Sequence, residues 1–323
     1  GELVTAKGEV TLRNNSLFIK PLDSTLKNLS GKFSFINSDL QSEPLTASWF
    51  NQPLNVDFST KEGAKAYQVA VNLNGNWQPA KTGVLPEAVN EALSGSVAWD
   101  GKVGIDLPYH AGATYNIELN GDLKNVSSHL PSPLAKPAGE PLAVNVKVDG
   151  NLNSFELTGQ AGADNHFNSR WLLGQKLTLD RAIWAADSKT LPPLPEQSGV
   201  ELNMPPMNGA EWLALFQKGA AESVGGAASF PQHITLRTPM LSLGNQQWNN
   251  LSIVSQPTAN GTLVEAQGRE INATLAMRNN APWLANIKYL YYNPSVAKTR
   301  GDSTPSSPFP TTERINFRGW PDA

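Results

Sequence analysis

Cysteine is missing from all 323 residues of the chain, which excludes disulfide bonds, thiol catalysis and cysteine-ligated zinc. Long apolar runs are missing as well. The longest candidate, Trp212–Phe216, falls far below the roughly 20 residues that a membrane-spanning helix requires. The chain starts at Gly1 without a signal peptide, and we expect it to be a piece of a longer protein whose anchors and targeting signals lie elsewhere.

Charge is also scarce. Charged residues make up 16% of the chain, against about 25% in an average soluble protein. The formal net charge of −3 argues against a nucleic-acid partner. Hydrophobic residues account for 40%, enough for a substantial core, and the polar positions are filled mainly by Asn, Gln, Ser and Thr. This composition is common in extended extracytoplasmic β proteins.

Motifs for catalysis are missing too. The sequence contains no HExxH, no G-x-S-x-G, no P-loop and no G-x-G-x-x-G pattern. The four histidines are scattered near expected turns and strand ends, and we interpret them as ordinary surface or turn residues: His110, His129, His166 and His233. A pair of glycosidase carboxylates drawn from distant strands stays open. We expect the chain to have no enzymatic activity, no catalytic residue, no metal ligand and no cofactor.

What the sequence does contain is a repeated strand pattern. Residues 113–123 (ATYNIELNGDL) and 142–152 (LAVNVKVDGNL) share the same alternation of apolar and polar residues, and 67–77 and 93–103 repeat it more loosely. Alternation with period two is typical of a half-buried β-strand. Each copy contains Asn-Gly or Asp-Gly, which predicts a two-residue hairpin turn. We therefore expect a mainly β fold built from repeated hairpins.

The alternation predicts one apolar face, which has two interpretations. In the first, the face fills the core of a closed β-sandwich or barrel. In the second, a sheet curls around the face without closing and leaves a hydrophobic groove. The pattern cannot distinguish them, because both need one apolar face. The residues predicted to line the groove are Val69, Val71, Leu73, Tyr115, Ile117, Leu119, Val144, Val146, Val148, Phe155 and Leu157.

Two segments read as helices. Leu85–Leu93 is a short candidate, since Pro86 suits a first helical turn and Gly95 a stop. Asn208–Ala221 is clearer, with Asn208 as the N-cap and Glu211 at the spacing of a capping box. The second helix groups apolar residues on one face: Trp212, Leu215 and Phe216. Gly225–Gly226 is expected to end this helix.

Some segments break the strand pattern. Four prolines in 125–141 exclude a central strand there. The Ser/Thr/Pro-rich stretch Lys298–Thr312 predicts a mobile loop. Asn286–Tyr292 fits either a strand or a helix. We divide the chain into a strand-and-hairpin groove segment, 1–200, and a segment with the helix and further groove strands, 201–323.

A family resemblance enters at the proline-rich connector, Ser128–Ala143 (SHLPSPLAKPAGEPLA). Together with the flanking repeats, the opening Asn208–Trp212 and the ending Phe317–Pro321, the connector resembles the AsmA-like, TamB-related family of bacterial envelope proteins. Each motif is short, and their order carries the resemblance. It covers the whole chain as an internal or C-terminal periplasmic portion.

The resemblance implies a long curled antiparallel sheet that forms a repeating β-groove. It implies a periplasmic segment of a protein that is anchored in the bacterial inner membrane by a helix outside this chain. Phospholipid acyl chains would pass along the groove from the inner to the outer membrane. The implied partners are phospholipid and, through other regions, the two membranes, with no nucleic acid and a monomeric state. The helix residues Trp212, Leu215 and Phe216 would cap the groove or pack on its convex side.

Two other functions remain open at this point. Nine tryptophans and an Asn-rich polar face are compatible with an extracytoplasmic carbohydrate-binding or adhesive β protein. In that case exposed indoles would stack on sugars, and the candidates are Trp49, Trp77, Trp99 and Trp171. Alternatively, the chain is a structural spacer whose apolar face only holds the sheet together.

Overall fold

A computed structural model describes residues 4–220, 228–292, 308–309 and 314–317. Most of these residues belong to strands. The first half of the chain forms β1 (Lys7–Ile19), β2 (Ser24–Ile36), β3 (Asp39–Ser42), β4 (Leu45–Trp49), β5 (Gln52–Glu62), β6 (Ala66–Trp77), β7 (Leu93–Ser94), β8 (Val97–Pro108), β9 (Thr114–Asp122), β10 (Ser127–Ser128), β11 (Ala143–Asn151) and β12 (Ser154–Ala161).

The second half continues the same architecture. Its strands are β13 (Asn165–Leu173), β14 (Leu177–Ala185), β15 (Gly199–Asn203), β16 (Met207–Asn208), β17 (Ala228–Ser229), β18 (Ile234–Leu243), β19 (Gln246–Thr258), β20 (Gly261–Gln267), β21 (Ile271–Arg278), β22 (Trp283–Tyr291), β23 (Pro308–Phe309) and β24 (Arg314–Phe317).

One 22-stranded sheet contains every strand except β7 and β10, which pair with each other. Neighbouring strands are antiparallel from β4 to β14 and again from β18 to β22. Between these two runs, β15 pairs in parallel with both β14 and β18. Among the described residues no pairing joins β1 to β22, β23 or β24, so the sheet does not close. The predicted curled, mainly β groove fold is confirmed, and its sheet is mixed rather than wholly antiparallel.

Two short helices interrupt the strands. Helix α1 spans only Glu87–Asn90, less than the predicted 85–93, because Leu93 and Ser94 pair in β7 instead. Helix α2 spans Gly209–Ala220. The predicted cap of α2 is confirmed, since the Asn208 Oδ1 accepts a hydrogen bond from the Glu211 backbone N–H at 3.2 Å. Single 3₁₀ turns occur at Lys20–Leu22 and Pro79–Lys81.

The ends of strands β5 to β14 form two unlike rims. At one rim, which we call the open rim, only short turns connect the strands, at 63–65, 109–113, 152–153 and 174–176. At the other, which we call the capped rim, a three-residue turn lies at 162–164, and the chain makes the longer excursions 78–96, 123–142 and 204–220, the last of which contains β16 and α2.

Hydrogen bonds and an ion pair connect the three excursions at the capped rim. The Trp212 Nε1 donates a hydrogen bond to the Ser132 carbonyl oxygen at 3.1 Å, which ties α2 to the proline-rich connector. Lys218 of α2 forms an ion pair with Glu91, next to α1. The His129 backbone N–H donates to the Ala92 carbonyl at 2.8 Å. These contacts make the capped rim a small folded assembly rather than a row of turns.

The predicted hairpin turns at Asn-Gly and Asp-Gly are wrong for the four repeats. Gly75, Gly101, Gly121 and Gly150 all lie inside strands, and none has the positive φ that such a turn requires. These four glycines allow close packing rather than an unusual backbone conformation. A Cβ on Gly101 would lie 2.6 Å from the Leu119 Cδ2. The glycines leave room for large side chains of neighbouring strands.

Two clusters of buried side chains hold the described part of the sheet together. The first cluster consists of Leu26, Ala47 and Leu54, on β2, β4 and β5. The side chains packed around it include Trp49, Val56, Leu73, Trp77 and Trp99.

The second cluster lies between β14 and β19 and consists of Ala186, Met204, Met207, Leu241 and Leu251. The side chains packed around it include Trp184, Leu202 and Trp212. Strands β6 to β12 lie between the clusters.

Other predictions have mixed outcomes. Residues 286–291 of the ambiguous segment form part of strand β22, and Tyr292 follows its end. Gly225–Gly226 lies outside the described residues, as does the 298–312 loop except for the two residues of β23. The division at 200/201 falls inside β15 and stays a prediction.

Leu54 offers a test of the first cluster. Its side chain is 1% exposed, so Leu54→Ala should lower the free energy of unfolding by about 2–5 kcal/mol through lost burial and the cavity left behind. Leu152→Ala is the matched control, because Leu152 is 67% exposed and its loss should change stability by less than about 0.5 kcal/mol. Urea unfolding followed by tryptophan fluorescence checks both. Equal midpoints for the two variants would contradict the buried placement of Leu54.

Candidate functional site

Cross-strand pairing aligns the apolar residues of eight strands, β5 to β14, in continuous rows on one face of the sheet. Row 1 contains Thr60, Val69, Ile105, Tyr115, Gly150, Phe155, Trp171 and Leu179. Row 2 contains Phe58, Val71, Val103, Ile117, Val148, Leu157, Ser169 and Ala182. Row 3 contains Val56, Leu73, Gly101, Leu119, Val146, Gly159, Phe167 and Trp184. We call this surface the apolar face.

All eleven residues predicted from the alternation lie on this face. Ten of them fall in rows 1 to 3, and Val144 belongs to a fourth, shorter row nearer the capped rim, with Gly75, Trp99, Gly121 and Ala161. The sequence pattern missed other members, above all Val103 and Ile105 of β8. Their alternation with Leu107 was available as a signal, but Gly101 and Gly104 obscured it.

The rows extend across the molecule. Seven strand spacings of about 4.8 Å give the eight-strand part a length of roughly 34 Å. None of its row positions carries a charged side chain. Row 3 then continues through the parallel strands and into the second antiparallel run, with Leu202, Leu236, Ile253, Ala266, Ala273 and Ile287.

Solvent reaches the apolar face in β6 to β12. The eleven predicted residues are all half-buried, whereas their neighbours on the opposite, polar face, such as Asn72, Glu118 and Lys147, are exposed. The main contacts of β9 and β11 are with their own sheet neighbours. Within the described residues no second layer covers these strands, so the apolar face is an open surface rather than a closed core.

Two described parts of the crossover between β15 and β18 contact the apolar face. Trp212 of α2 packs against the cluster that includes Trp184 and Leu202, both in row 3. After the helix, Phe230 makes an edge-on contact with Trp171 of row 1, with ring centroids 6.3 Å apart. Of the other residues predicted to cap the groove, Leu215 is half-buried and Phe216 is 68% exposed. Their capping role stays a prediction.

Three hydroxyl groups lie on the otherwise hydrophobic rows, and that of Thr60, on β5, accepts a hydrogen bond from the Leu40 backbone N–H at 2.9 Å. Ser169 is fully buried and satisfied, donating to the Leu157 carbonyl oxygen at 2.9 Å and accepting from the Trp171 Nε1 at 2.9 Å. The Tyr115 phenol extends over the backbone of Gly150, where a Cβ would lie 2.8 Å from its oxygen. Burial raises the pKa of Tyr115, because the apolar surroundings disfavour the phenolate.

The candidate sugar-stacking tryptophans lie in packed aromatic clusters. Trp77 contacts Trp49 and Trp99 edge-on, with centroids 6.4 Å and 5.0 Å apart. Trp171 is stacked on Phe155, with centroids 6.0 Å apart and an interplanar angle of 12°. All four indoles are half-buried. They therefore present edges and partly covered faces rather than a free flat platform.

The histidines are not gathered into a site. His166 is buried, with its Nε2 3.3 Å from the Ala163 carbonyl oxygen, whereas His110 and His129 are exposed. Over the described ranges, no group of three or more His, Asp or Glu side chains is placed to hold a metal ion. In the same part of the chain, neither helix has the length and apolar character needed to cross a bilayer.

The geometry defines the class of protein. An open, curled β-sheet with one continuous apolar face is the architecture of a β-groove protein. A family model described as "YhdP protein" matches residues 1–323, and the chain belongs to the YhdP family. This confirms the predicted resemblance to the AsmA-like, TamB-related family. Membership indicates a bacterial envelope protein related to lipid transport. A search of solved structures gave no match.

Single cysteines test whether the apolar face is open, because the chain has no native thiol. Ile117→Cys, at a half-buried position of row 2, should react with a small maleimide much faster than Leu54→Cys, whose position is 1% exposed. Leu152→Cys, at an exposed position, gives the rate of a free site. Mass spectrometry of timed reactions measures all three. Equal protection of Ile117→Cys and Leu54→Cys would show that a closed core covers row 2.

Proposed function

We propose that this chain is a periplasmic segment of an inter-membrane lipid transport protein and that phospholipid acyl chains move along the apolar face from the inner to the outer membrane. The observation that carries the proposal is the unbroken set of apolar rows, which crosses eight strands with no charged position and is half-buried rather than buried from β6 to β12. A monomer that needs its apolar residues only for its own core buries them under a second layer. An uncovered apolar surface of this extent marks a binding surface.

The energetics suit a carrier that holds a lipid without trapping it. Burying a methylene is worth about 0.8 kcal/mol, so a ~16-carbon chain that is fully covered gains on the order of 12 kcal/mol. A one-sided surface returns roughly half of that. This is enough to keep a tail out of water while neighbouring positions remain nearly equivalent in free energy.

The charge distribution supports the same function. Polar and charged side chains, including Asn116, Glu118 and Lys147, lie on the opposite face. A lipid tail on rows 1 to 3 therefore meets no group that would have to be desolvated. The head group stays in solvent, so no charged head-group pocket is required on the apolar face.

The proposal includes the setting of the chain. The full-length protein is anchored in the inner membrane, and this segment acts in the periplasm as a monomer whose partners are phospholipid and, through other regions, the two membranes. It binds no nucleic acid and catalyses no reaction. The family membership supports the envelope setting.

The two alternative functions have less support. A sugar-binding surface needs exposed aromatic faces, and Trp49, Trp77, Trp99 and Trp171 are packed in clusters. A structural spacer needs no uncovered apolar face. Cross-linking of a photoreactive phospholipid to this face in cells would separate transport from the spacer function.

A charge placed on row 2 should block the path. Ile117→Asp puts a carboxylate in the middle of the apolar face, which a lipid tail has to desolvate, so lipid recovered with the purified protein should fall at least tenfold. Asn116→Asp is the matched control, since it adds the same charge to the next residue on the polar face and should leave recovery unchanged. Lipid extraction and native mass spectrometry measure both.

Circular dichroism of the two variants completes the comparison. Ile117 is half-exposed, so its variant should keep the strand content of the parent chain. Lipid recovered equally from both folded variants, or from neither them nor the parent chain, would refute transport along this face.

A further inference from the structure

The two rims of the apolar face differ in what they leave accessible. Beside β6 to β11 the capped rim is occupied by 78–96 and 123–142, whose buried residues include Ala88, Val126 and Leu130. The open rim has only short turns, and apolar side chains there reach solvent, with Leu107 38% and Leu152 67% exposed. Along β6 to β11, and within the described residues, a bulky polar group of an amphipathic molecule on the face therefore meets water at the open rim.

The rows also differ in chemistry. Rows 2 and 3 are mainly aliphatic between β5 and β12. Row 1, next to the open rim, carries Tyr115 and the stacked pair Phe155 and Trp171, which Phe230 meets edge-on. Aromatic side chains with a polar tip favour the boundary between hydrocarbon and water, because one part of the ring system is apolar and the other forms hydrogen bonds.

The Tyr115 hydroxyl is the unused polar group in this band. No described residue forms a hydrogen bond with it, although the other hydroxyl on the rows between β6 and β14, that of Ser169, has two partners. The phenol lies over Gly150, whose missing side chain leaves the space above the β11 backbone that the phenol occupies. A tyrosine hydroxyl keeps its proton at neutral pH and remains a donor, and burial raises the pKa of Tyr115 further.

We propose that a bound diacyl lipid lies across the strands in one orientation, with its acyl chains on rows 2 and 3 and its glycerol ester region on row 1, where the Tyr115 hydroxyl donates to an ester carbonyl oxygen. The head group then projects into solvent at the open rim. The inference rests on the proposed function and adds to it the side from which lipids are held. It makes Tyr115 the residue that distinguishes an ester-linked lipid from plain hydrocarbon.

Site-specific quenching tests the orientation. Leu152→Cys at the open rim and Lys124→Cys at the capped rim are both exposed positions, separated by β11, which spans roughly 27 Å. Val148→Cys reports on row 2. Each variant of the whole chain carries one thiol-linked fluorophore. The probes are a phosphatidylcholine with a nitroxide on its head group and one with a nitroxide at the end of an acyl chain.

The head-group nitroxide should quench the label at position 152 several-fold more than the label at 124, and the acyl-chain nitroxide should quench the label at 148. Equal head-group quenching at 124 and 152, or stronger quenching at 124, overturns the orientation while the acyl-chain result still supports lipid binding. Absence of quenching by either probe at all three positions overturns the proposed function and the orientation together.

A lipid pair tests the role of the hydroxyl. Tyr115→Phe removes one oxygen and keeps the ring, and no described residue loses a hydrogen bond. The variant should bind a diester phosphatidylcholine roughly two- to tenfold more weakly than the parent chain, the effect of one hydrogen bond. The diether analogue lacks the carbonyl, so both proteins should bind it equally. Displacement of a fluorescent lipid measures the four affinities.

Three results decide this test. A loss restricted to the diester lipid supports donation to the ester carbonyl. An equal loss for both lipids, or no loss for either, overturns it. Thermal unfolding of Tyr115→Phe without lipid should match that of the parent chain, and a lowered midpoint would show that the hydroxyl has a structural partner instead.

Discussion

The cross-strand backbone ladder is the interaction on which the rest of the structure depends. In a two-layer fold, side chains packed between layers hold the strands, and the apolar face is consumed in doing so. Here β6 to β12 have no second layer among the described residues, so their mutual pairing has to hold them in place. Each of these strands has eight to twelve residues and is paired on both sides, so the backbone hydrogen bonds hold it in place. The apolar face therefore remains free to contact something else.

Packing is concentrated where the ladder alone is not enough. One cluster, around Leu54, supports the strands near the start of the sheet, and the other, around Met204, lies where the sheet changes from antiparallel to parallel pairing. The segment that connects β14 to β15 is held in the same region. Arg181 of β14 donates hydrogen bonds to the carbonyl oxygens of its residues Pro195 and Glu196, at 3.1 Å and 2.8 Å. The protein thus has rigid regions at both sides of an open stretch.

Alternation in the sequence could predict the fold class and every non-glycine member of rows 1 to 3 on β6, β9, β11 and β12, because a period of two decides which side chains share a face. It could not predict pairing partners, since the parallel strands β14, β15 and β18 are brought together by crossovers that leave no local signal. It also misread Asp149–Gly150 as a turn. That dipeptide stays in a strand because neighbours pair along its whole length, and the glycine accommodates Tyr115.

Glycine within the rows has a mechanical consequence. Along row 3, Gly101 and Gly159 interrupt the larger residues Leu73, Leu119, Val146 and Phe167. The two glycines lie three strand spacings apart, roughly 14 Å, and Leu119 leans over Gly101, so the floor of the row has few steps. On the proposed lipid path, a flexible hydrocarbon that crosses such a floor meets no single deep well, and friction would set its speed. The glycines of the repeat would then also smooth the path of a bound lipid.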